Sequence, residues 1–356
     1  MNSNAMHIAT CCLAVMVLVV GATVVRAQGD KLRSPWDDGK VALTEAVYDC
    51  PAPPPFAKTL EIGTYYIDNK ASVIDAKKKA EYDKASDAYL QLTRAATTAA
   101  DDYLSKGSQA AALCVYKLLG AAAKADAWDG KMGGFSGVYV QNWLLSGAGI
   151  AYLKVRPSGV GTGIEDAAIQ KWFKRLAGRV REFFDEEVPR LGGPDKENNH
   201  IYWAGLAVAA EAIADNDRDA WRWALWTYRI GLANIQPDGS LEAEMNRGQM
   251  ALHYHLYALG ALILMAEMGE ANGMDLYLEN NRALHHLVKF CLAGLEDPTI
   301  LEKQTGVAQV VTLPYGGSDI GWAVPYVRRF PNARLSALVA KAPSVRYTTW
   351  GGAPPE

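Results

Sequence analysis

The sequence has no excess of positive charge: 36 Lys and Arg against 39 Asp and Glu leave a formal net charge of −3. A nucleic acid partner, which calls for a broadly basic surface, is therefore not expected. An anionic ligand would have to be held by a cleft that is cationic only locally. Strand-like alternation of apolar and polar residues is almost absent, which argues against sheet architectures. Repeats of the solenoid kinds are missing too. The six histidines show no His-Glu-x-x-His or similar ligand spacing, so no metal and no other cofactor is expected.

Long uncharged apolar runs are equally scarce. The one that stands out, from Ile8 to Val25, ends in Val25-Arg26-Ala27, a small-residue cleavage pattern, and reads as a signal peptide over residues 1–27. Met1 to Met6 contributes no Lys or Arg, and an N-terminal anchor is the competing reading, although the run only just approaches the ~18 residues that a spanning helix needs. No other stretch looks long enough to span a bilayer. The mature chain is expected to be periplasmic or secreted, a monomer, and without stable membrane association.

Cysteine is sparse, and Cys11 and Cys12 leave with the signal, so Cys50, Cys114 and Cys291 remain. Two of these can pair in an exported chain. The expected pair is Cys50 with Cys114, because the run Cys50-Pro51-Ala52-Pro53-Pro54-Pro55 is a segment that a disulfide could pin to a helix. Cys291 lies in an apolar helical run and reads as a buried free thiol.

What the chain does have is helix. Half of its residues are apolar, enough for a large core. After a Pro-rich leader over residues 28–58, helical spacing predicts segments at about 70–105, 109–126, 138–155, 164–190, 199–214, 218–235, 246–269 and 275–295. Turn residues separate them at Arg156-Pro157-Ser158-Gly159, Gly192-Gly193-Pro194-Asp195 and Gln236-Pro237-Asp238-Gly239. Helical hairpins wound around a common axis follow: an all-α, single-domain (α/α) toroid over residues 59–356. Val310-Val311-Thr312-Leu313 is the one short run with a strand-like composition.

Two segments concentrate polar chemistry. In Asn198-Asn199-His200-Ile201-Tyr202-Trp203-Ala204, either asparagine can cap a helix, leaving His200 in its first turn and Trp203 one turn on. In the run from Glu242 to Ala258, Arg247 and Tyr254 are seven residues apart, about 700° of helical rotation, so they share a face that Tyr257 continues. His253 and His255 point to other sides and read as structural. Each residue also has a plain reading: a cap for Asn199, a hydrogen-bonded core histidine for His200, a solvated arginine above core tyrosines for Arg247.

Together, Asn199-His200 with Tyr202-Trp203-Ala204, and Arg247 with Gln249, Ala251-Leu252, Tyr254-His255 and Tyr257-Ala258-Leu259, resemble the two signature segments of the alginate lyases of polysaccharide lyase family five. The likeness extends to Cys50-Pro51, Trp143, Lys171-Trp172-Phe173 and the region from Trp322 to Tyr326. It implies a lyase that cleaves 1,4-linked uronate polymers by β-elimination, leaving 4,5-unsaturated ends. Poly-β-mannuronate is the default substrate, with glucuronan or hyaluronan-type polymers as extensions. Tyr254, His200, Asn199 and Arg247 would be the catalytic residues. The chain departs from some relatives at Thr64-Tyr65-Tyr66, where they carry Ser-Lys-Tyr.

The chemistry calls for such a set. The C5 hydrogen of a uronate lies α to a carboxylate, whose charge must be neutralised before an enolate-like species can form; Arg247 and Asn199 offer donors for it. A phenol with an ordinary pKa of ~10 can take the C5 proton only if its anion is stabilised, here by Arg247 or a protonated His200. The resemblance implies that Tyr254 serves as base and then acid when both reacting atoms lie on one side of the ring, with His200 as base otherwise. Sugar rings present apolar faces, so Trp203, Tyr257, Tyr139 and Trp143 are the expected subsites, with Tyr65 and Tyr66 on a loop that can close over the cleft. Two alternatives stand: a glycoside hydrolase using Glu242 and Glu244, and a periplasmic polyuronate-binding protein without turnover.

Overall fold

The computed structural model describes residues 31–39, 41–191 and 197–355. The expected signal peptide and the turn at 192–195 lie outside the described residues. Four helical hairpins form the body: α1 (Ala76–Lys106) with α2 (Gln109–Lys124), α3 (Gly134–Val155) with α4 (Gly163–Glu182), α6 (Asn199–Asp215) with α7 (Arg218–Asn234), and α9 (Ala251–Ala271) with α10 (Glu279–Glu296). A π turn over Phe183–Glu187 leads from α4 into the short α5 (Val188–Leu191), and α8 (Glu242–Met245) precedes α9. The chain ends with α11 (Thr299–Thr305), α12 (Ala323–Arg329) and α13 (Ala333–Lys341).

The first member of each pair lies inside. α1 packs on α3, α3 on α6, and α6 on α9, while α2, α4, α7 and α10 form the outer row. This is the expected incomplete toroid. The division follows from composition: α3, α6 and α9 are buried on nearly every side, as helices apolar all round must be, whereas the outer helices keep a polar face. The span Gly248–Ala271 is long and apolar enough to cross a membrane by length and composition, contrary to the expectation that only the N-terminal run would be. It is a core helix, most of it buried by its neighbours.

Local chemistry sets the helix ends. Gly107, with φ +69°, closes α1 and Ser108 caps α2 with its hydroxyl on Ala111 N, so two residues suffice to reverse the chain. Asn216, with φ 57°, and Asp217, which accepts from Asp219 N and Ala220 N, do the same between α6 and α7. The first helix begins at Ala76 rather than near 70. Asp68 accepts from Ser72 N, Ser72 Oγ and Val73 N, which winds the preceding residues into a loop, and Asp75 caps α1. Residues 310–313 form no strand; Val310 N donates to Gln249 O and the segment stays largely exposed.

The described residues before α1 run along the outside of several helices: Leu32 N donates to Asn216 at the α6–α7 turn, Asp37 accepts from Arg156 after α3, Thr44 N donates to Gly107 O between α1 and α2, and Cys50 is bonded to Cys114 of α2. Cys291 is a buried free thiol. At the other end of the chain, residues 347–353 enter the middle of the ring. Trp350 packs on Gly260 of α9 and the Thr348 carbonyl on Gly147 of α3. Lys154, fully buried, donates to Asp101 Oδ1 (2.6 Å), Gly351 O (2.6 Å) and Ala353 O (2.7 Å), and Asp101 also accepts from Ala353 N (2.8 Å).

Candidate active site

A cleft of about 450 Å³ opens at one end of the ring, between the loop at 64–71 and the ends of α1, α3, α6 and α9. Asn199, His200, Arg247 and Tyr254 all line it, so the structure brings the four predicted residues together from two parts of the chain. A second cavity, of about 620 Å³, adjoins the first and shares Ala71, His200 and Arg247 with it.

At the start of α6 the two asparagines divide their tasks. Asn198 is the cap, its side chain accepting from His200 N (2.9 Å). Asn199 is released from that duty and is wholly buried. Its backbone N–H and its Nδ2 both donate to Glu244 Oε1, at 2.8 and 3.0 Å. Glu244 comes from α8 and is also fully buried. Burial pushes its carboxyl above the usual range, against the pull of the Asn199 hydrogen bonds and the Arg247 charge. Among the described residues, Asn199 Oδ1 and Glu244 Oε2 have no partner.

His200 stacks on Tyr139, with ring centroids 3.9 Å apart and planes 13° from parallel. Packing of this kind fixes the imidazole plane, leaving its ring edge to meet a ligand.

Arg247 reaches Tyr254 by a route other than the one expected. The two are not on one continuous helix, because Gly248, with φ +56°, breaks the run and α9 begins only at Ala251. Arg247 sits in the turn before it and lays its guanidinium 3.6 Å from the Tyr254 ring centroid, close enough for a cation–π contact. Arg247 also donates to Ala71 O (3.2 Å), and Gln249 to Ser72 O (2.8 Å), tying the 64–75 loop down over the cleft. Its Nε is buried and has no acceptor among the described residues.

The Tyr254 hydroxyl lies 2.5 Å from that of Tyr66. Burial pushes its pKa up to about 12, opposed by the Arg247 charge and the Tyr66 hydrogen bond. Tyr66 is raised as well, chiefly by burial. Both phenols therefore keep their protons at neutral pH.

Of the aromatic residues expected to hold sugars, Tyr65, Tyr66, Tyr139, Trp143 and Tyr257 line the cleft. Trp203 does not. It is 1% exposed and donates from Nε1 to Tyr257 O, with its ring stacked on Tyr257 at 4.5 Å. Pointing into the helix-packed interior, it supports a wall residue and cannot touch a ligand itself.

The sequence reading also missed wall residues. His253 lines the cleft, stacked on Tyr257 at 6.0 Å and 3.6 Å from Asp319 Oδ1, instead of pointing away. The cleft curves around the start of α9, so neighbouring residues of its first turns both reach it. His255 is structural, as expected: fully buried, it accepts from Leu241 N through Nε2 and donates from Nδ1 to Ala251 O. Burial lowers its pKa to about 4 and keeps it neutral. Lys79, Tyr82, Ser86 and Tyr89 of α1 also face the cleft, at spacings that mark one helix face. Tyr347 arrives from the C-terminal segment, a placement that no local pattern encodes.

Glu242 and Glu244 do not form a hydrolytic pair. Glu244 is sealed beneath Asn199, while Glu242 is exposed in the second cavity. Among the described residues, the one carboxylate group that could hold a metal is Glu211, Asp215 and Asp217, on the α6–α7 turn. Lys174 bridges Asp215 and Asp217 there, at 3.0 Å each.

Comparison with known proteins agrees with this architecture. The family model described as alginate lyase matches residues 60–301. A polysaccharide lyase of Stenotrophomonas maltophilia is 37% identical, covering 85% of this chain and 89% of its own. An alginate lyase of Pseudomonas fluorescens is 32% identical over 77% of this chain and 74% of its own. Among solved structures, a histidine-to-alanine variant of alginate lyase A1-III complexed with a tetrasaccharide superposes with a TM-score of 0.74 at 24% identity, covering 87% and 86% of the two chains. The crystal structure of alginate lyase A1-III from Sphingomonas species A1 gives 0.71 at 23% identity, over 90% and 95%.

Proposed function

This chain belongs to the alginate lyase family, and we propose that it cleaves alginate by β-elimination in the aromatic cleft, with Tyr254, His200, Asn199 and Arg247 as its catalytic residues. The observation that carries this assignment is Arg247. Its guanidinium lies against the Tyr254 ring, and its buried Nε lacks an acceptor among the described residues. A buried donor without a partner is unfavourable by about 1–3 kcal/mol, and a uronate carboxylate beside Tyr254 would supply the acceptor.

In the proposed reaction, Arg247 and the second N–H of the Asn199 amide neutralise the carboxylate of the sugar whose C5 proton is removed. The phenolate of Tyr254 takes that proton. The C4–O4 bond then breaks, the electron pair from C5–H forms the C4=C5 double bond, and the phenol returns its proton to the departing O4. When the C5 hydrogen lies on the opposite face, His200 is the base and Tyr254 the acid. Poly-β-mannuronate is the default polymer. The Cys50–Cys114 disulfide suits an oxidising compartment, which supports removal of the 1–27 leader on export to the periplasm or beyond.

Tyr254→Phe removes the proton carrier and leaves the wall in place. We expect the ultraviolet absorbance of the unsaturated product to appear about 10²–10⁴-fold more slowly, with polymer binding retained. Cleavage at a near wild-type rate would remove Tyr254 from this role. The pH dependence has a definite sign. With the phenol at about 12, the phenolate fraction rises tenfold per pH unit below that value. The rate on poly-β-mannuronate should therefore climb with pH until another group titrates; a flat profile from pH 6 to 9 would contradict a phenolate base.

A further inference from the structure

Every sugar of a polyuronate carries a carboxylate, yet the proposed reaction uses only one of them, the group held by Arg247 and Asn199. The carboxylates on neighbouring sugars must enter the cleft as well, and a charge left there without a counter-ion is unfavourable. Among the described residues, Lys79 and Arg247 are the only Lys or Arg side chains that line the cleft. One carboxylate, Asp83, stands against them, so with neutral histidines the lining carries one positive charge in excess, although the whole chain has a net charge of −3. With Arg247 committed to the reacting sugar, Lys79 is the cation that remains.

Its placement suits a second acid group. Lys79 Nζ lies 5.5 Å from the Tyr65 ring centroid, the Tyr65 and Tyr66 rings are 4.5 Å apart, and the Arg247 guanidinium is 5.9 Å from the Tyr66 centroid. The two cations therefore belong to one aromatic wall. Lys79 is held by Asp83, one turn along α1, at 2.5 and 2.7 Å. Both side chains are exposed, at 38% and 51%, and such a pair contributes only about 0.2–1 kcal/mol. An ammonium has three donors, so a sugar carboxylate can join or replace Asp83 with little loss. A sugar without a carboxylate offers it no charge, and the Lys79–Asp83 pair stays closed.

We propose that Lys79 binds the carboxylate of a uronate next to the reacting one, which makes the cleft selective for polymers with acid groups on successive sugars over those that alternate uronate with a neutral sugar. The proposal rests on the lyase reading above and narrows its substrate class: unbroken uronate runs are favoured over hyaluronan-type polymers. Lys79 acts as a specificity residue and takes no part in proton transfer.

The test uses poly-β-mannuronate in which a fraction of the carboxyl groups has been chemically reduced, giving scattered neutral mannose. Wild-type protein, Lys79→Met and Lys79→Arg are each incubated with it, and the unsaturated oligosaccharides are sequenced by mass spectrometry. In the wild type, one position beside the reacting uronate should carry a carboxylate about fivefold more often than chance, as a contact of ~1 kcal/mol implies, and high salt should weaken the preference by screening. The preference should fall to chance in Lys79→Met, which keeps the stem without the charge, and return in Lys79→Arg. Because it is a ratio within one digest, it does not depend on how much of a variant is folded. Neutral sugars scattered evenly about the wild-type cuts, a preference unchanged in Lys79→Met, or none in Lys79→Arg overturns the proposal. Failure of the wild type to form unsaturated product from the unreduced polymer would instead overturn the lyase reading itself.

Discussion

At the scale of single residues, Glu244 has the most leverage for a group that does not line the cleft. Both N–H groups of Asn199 that it holds lose their acceptor in Glu244→Leu, at about 1–3 kcal/mol each. That variant should be less stable and turn over more slowly, with KM affected less than kcat. Glu244→Gln keeps an acceptor oxygen and should preserve most of the rate. The two also separate by pH. Burial holds the Glu244 pKa above its unfolded value, so its contribution to stability is complete below the unfolded value and is lost as pH rises through the folded one. Urea midpoints should therefore favour Glu244→Gln over wild type by more at pH 8 than at pH 4, and an equal difference at both would refute the assignment. Sequence patterning could not show this carboxylate's task, because its partner lies 45 residues away. It did single out the four residues around it, because amide, imidazole, guanidinium and phenol crowd two short stretches. Trp203 was misplaced because an indole on an inner helix looks the same in sequence whether it faces a groove or a neighbouring helix.

At the scale of elements, the turn between α8 and α9 decides where the guanidinium lies. Gly248 adopts φ +56°, and a Cβ there would meet only Val307 Cγ2, at 3.7 Å. Space is available, but the left-handed backbone disfavours a side chain by about 1–2 kcal/mol. Gly248→Ala should lower stability by roughly that amount and lower kcat/KM further, since the relaxed turn would carry Arg247 off the Tyr254 ring. Equal losses in denaturation and in steady-state kinetics would mean that the turn has no special bearing on the site. The helices were legible because apolar periodicity and turn residues agree along most of the chain. This break was not: the spacing from Arg247 to Tyr254 satisfies one helix face whether or not the backbone is helical throughout. The α1 strip of Lys79, Tyr82, Ser86 and Tyr89 shows the reverse case, a real helix face whose orientation depends on packing against α3.

At the scale of the whole molecule, covalent and ionic ties bring the ends of the chain to the ring. The Cys50–Cys114 bond closes a segment of 64 residues, and on the loop-entropy account its loss lowers stability by about 4 kcal/mol. Reduction, or Cys50→Ser with Cys114→Ser, should shift the denaturation midpoint accordingly, and an unchanged midpoint would show that the leader adds no constraint. The toroid itself was readable from helix count and short turns. What fills its centre was not, because the aromatic and glycine-rich tail at 347–353 shows no helical pattern to place it until Lys154 and Asp101 are seen to seize it. Tyr347 and Thr349 belong to that tail and to the cleft wall. Translation therefore supplies part of the wall around Tyr254 long after Tyr254 itself, and a nascent chain stalled anywhere between the two would carry an unfinished cleft.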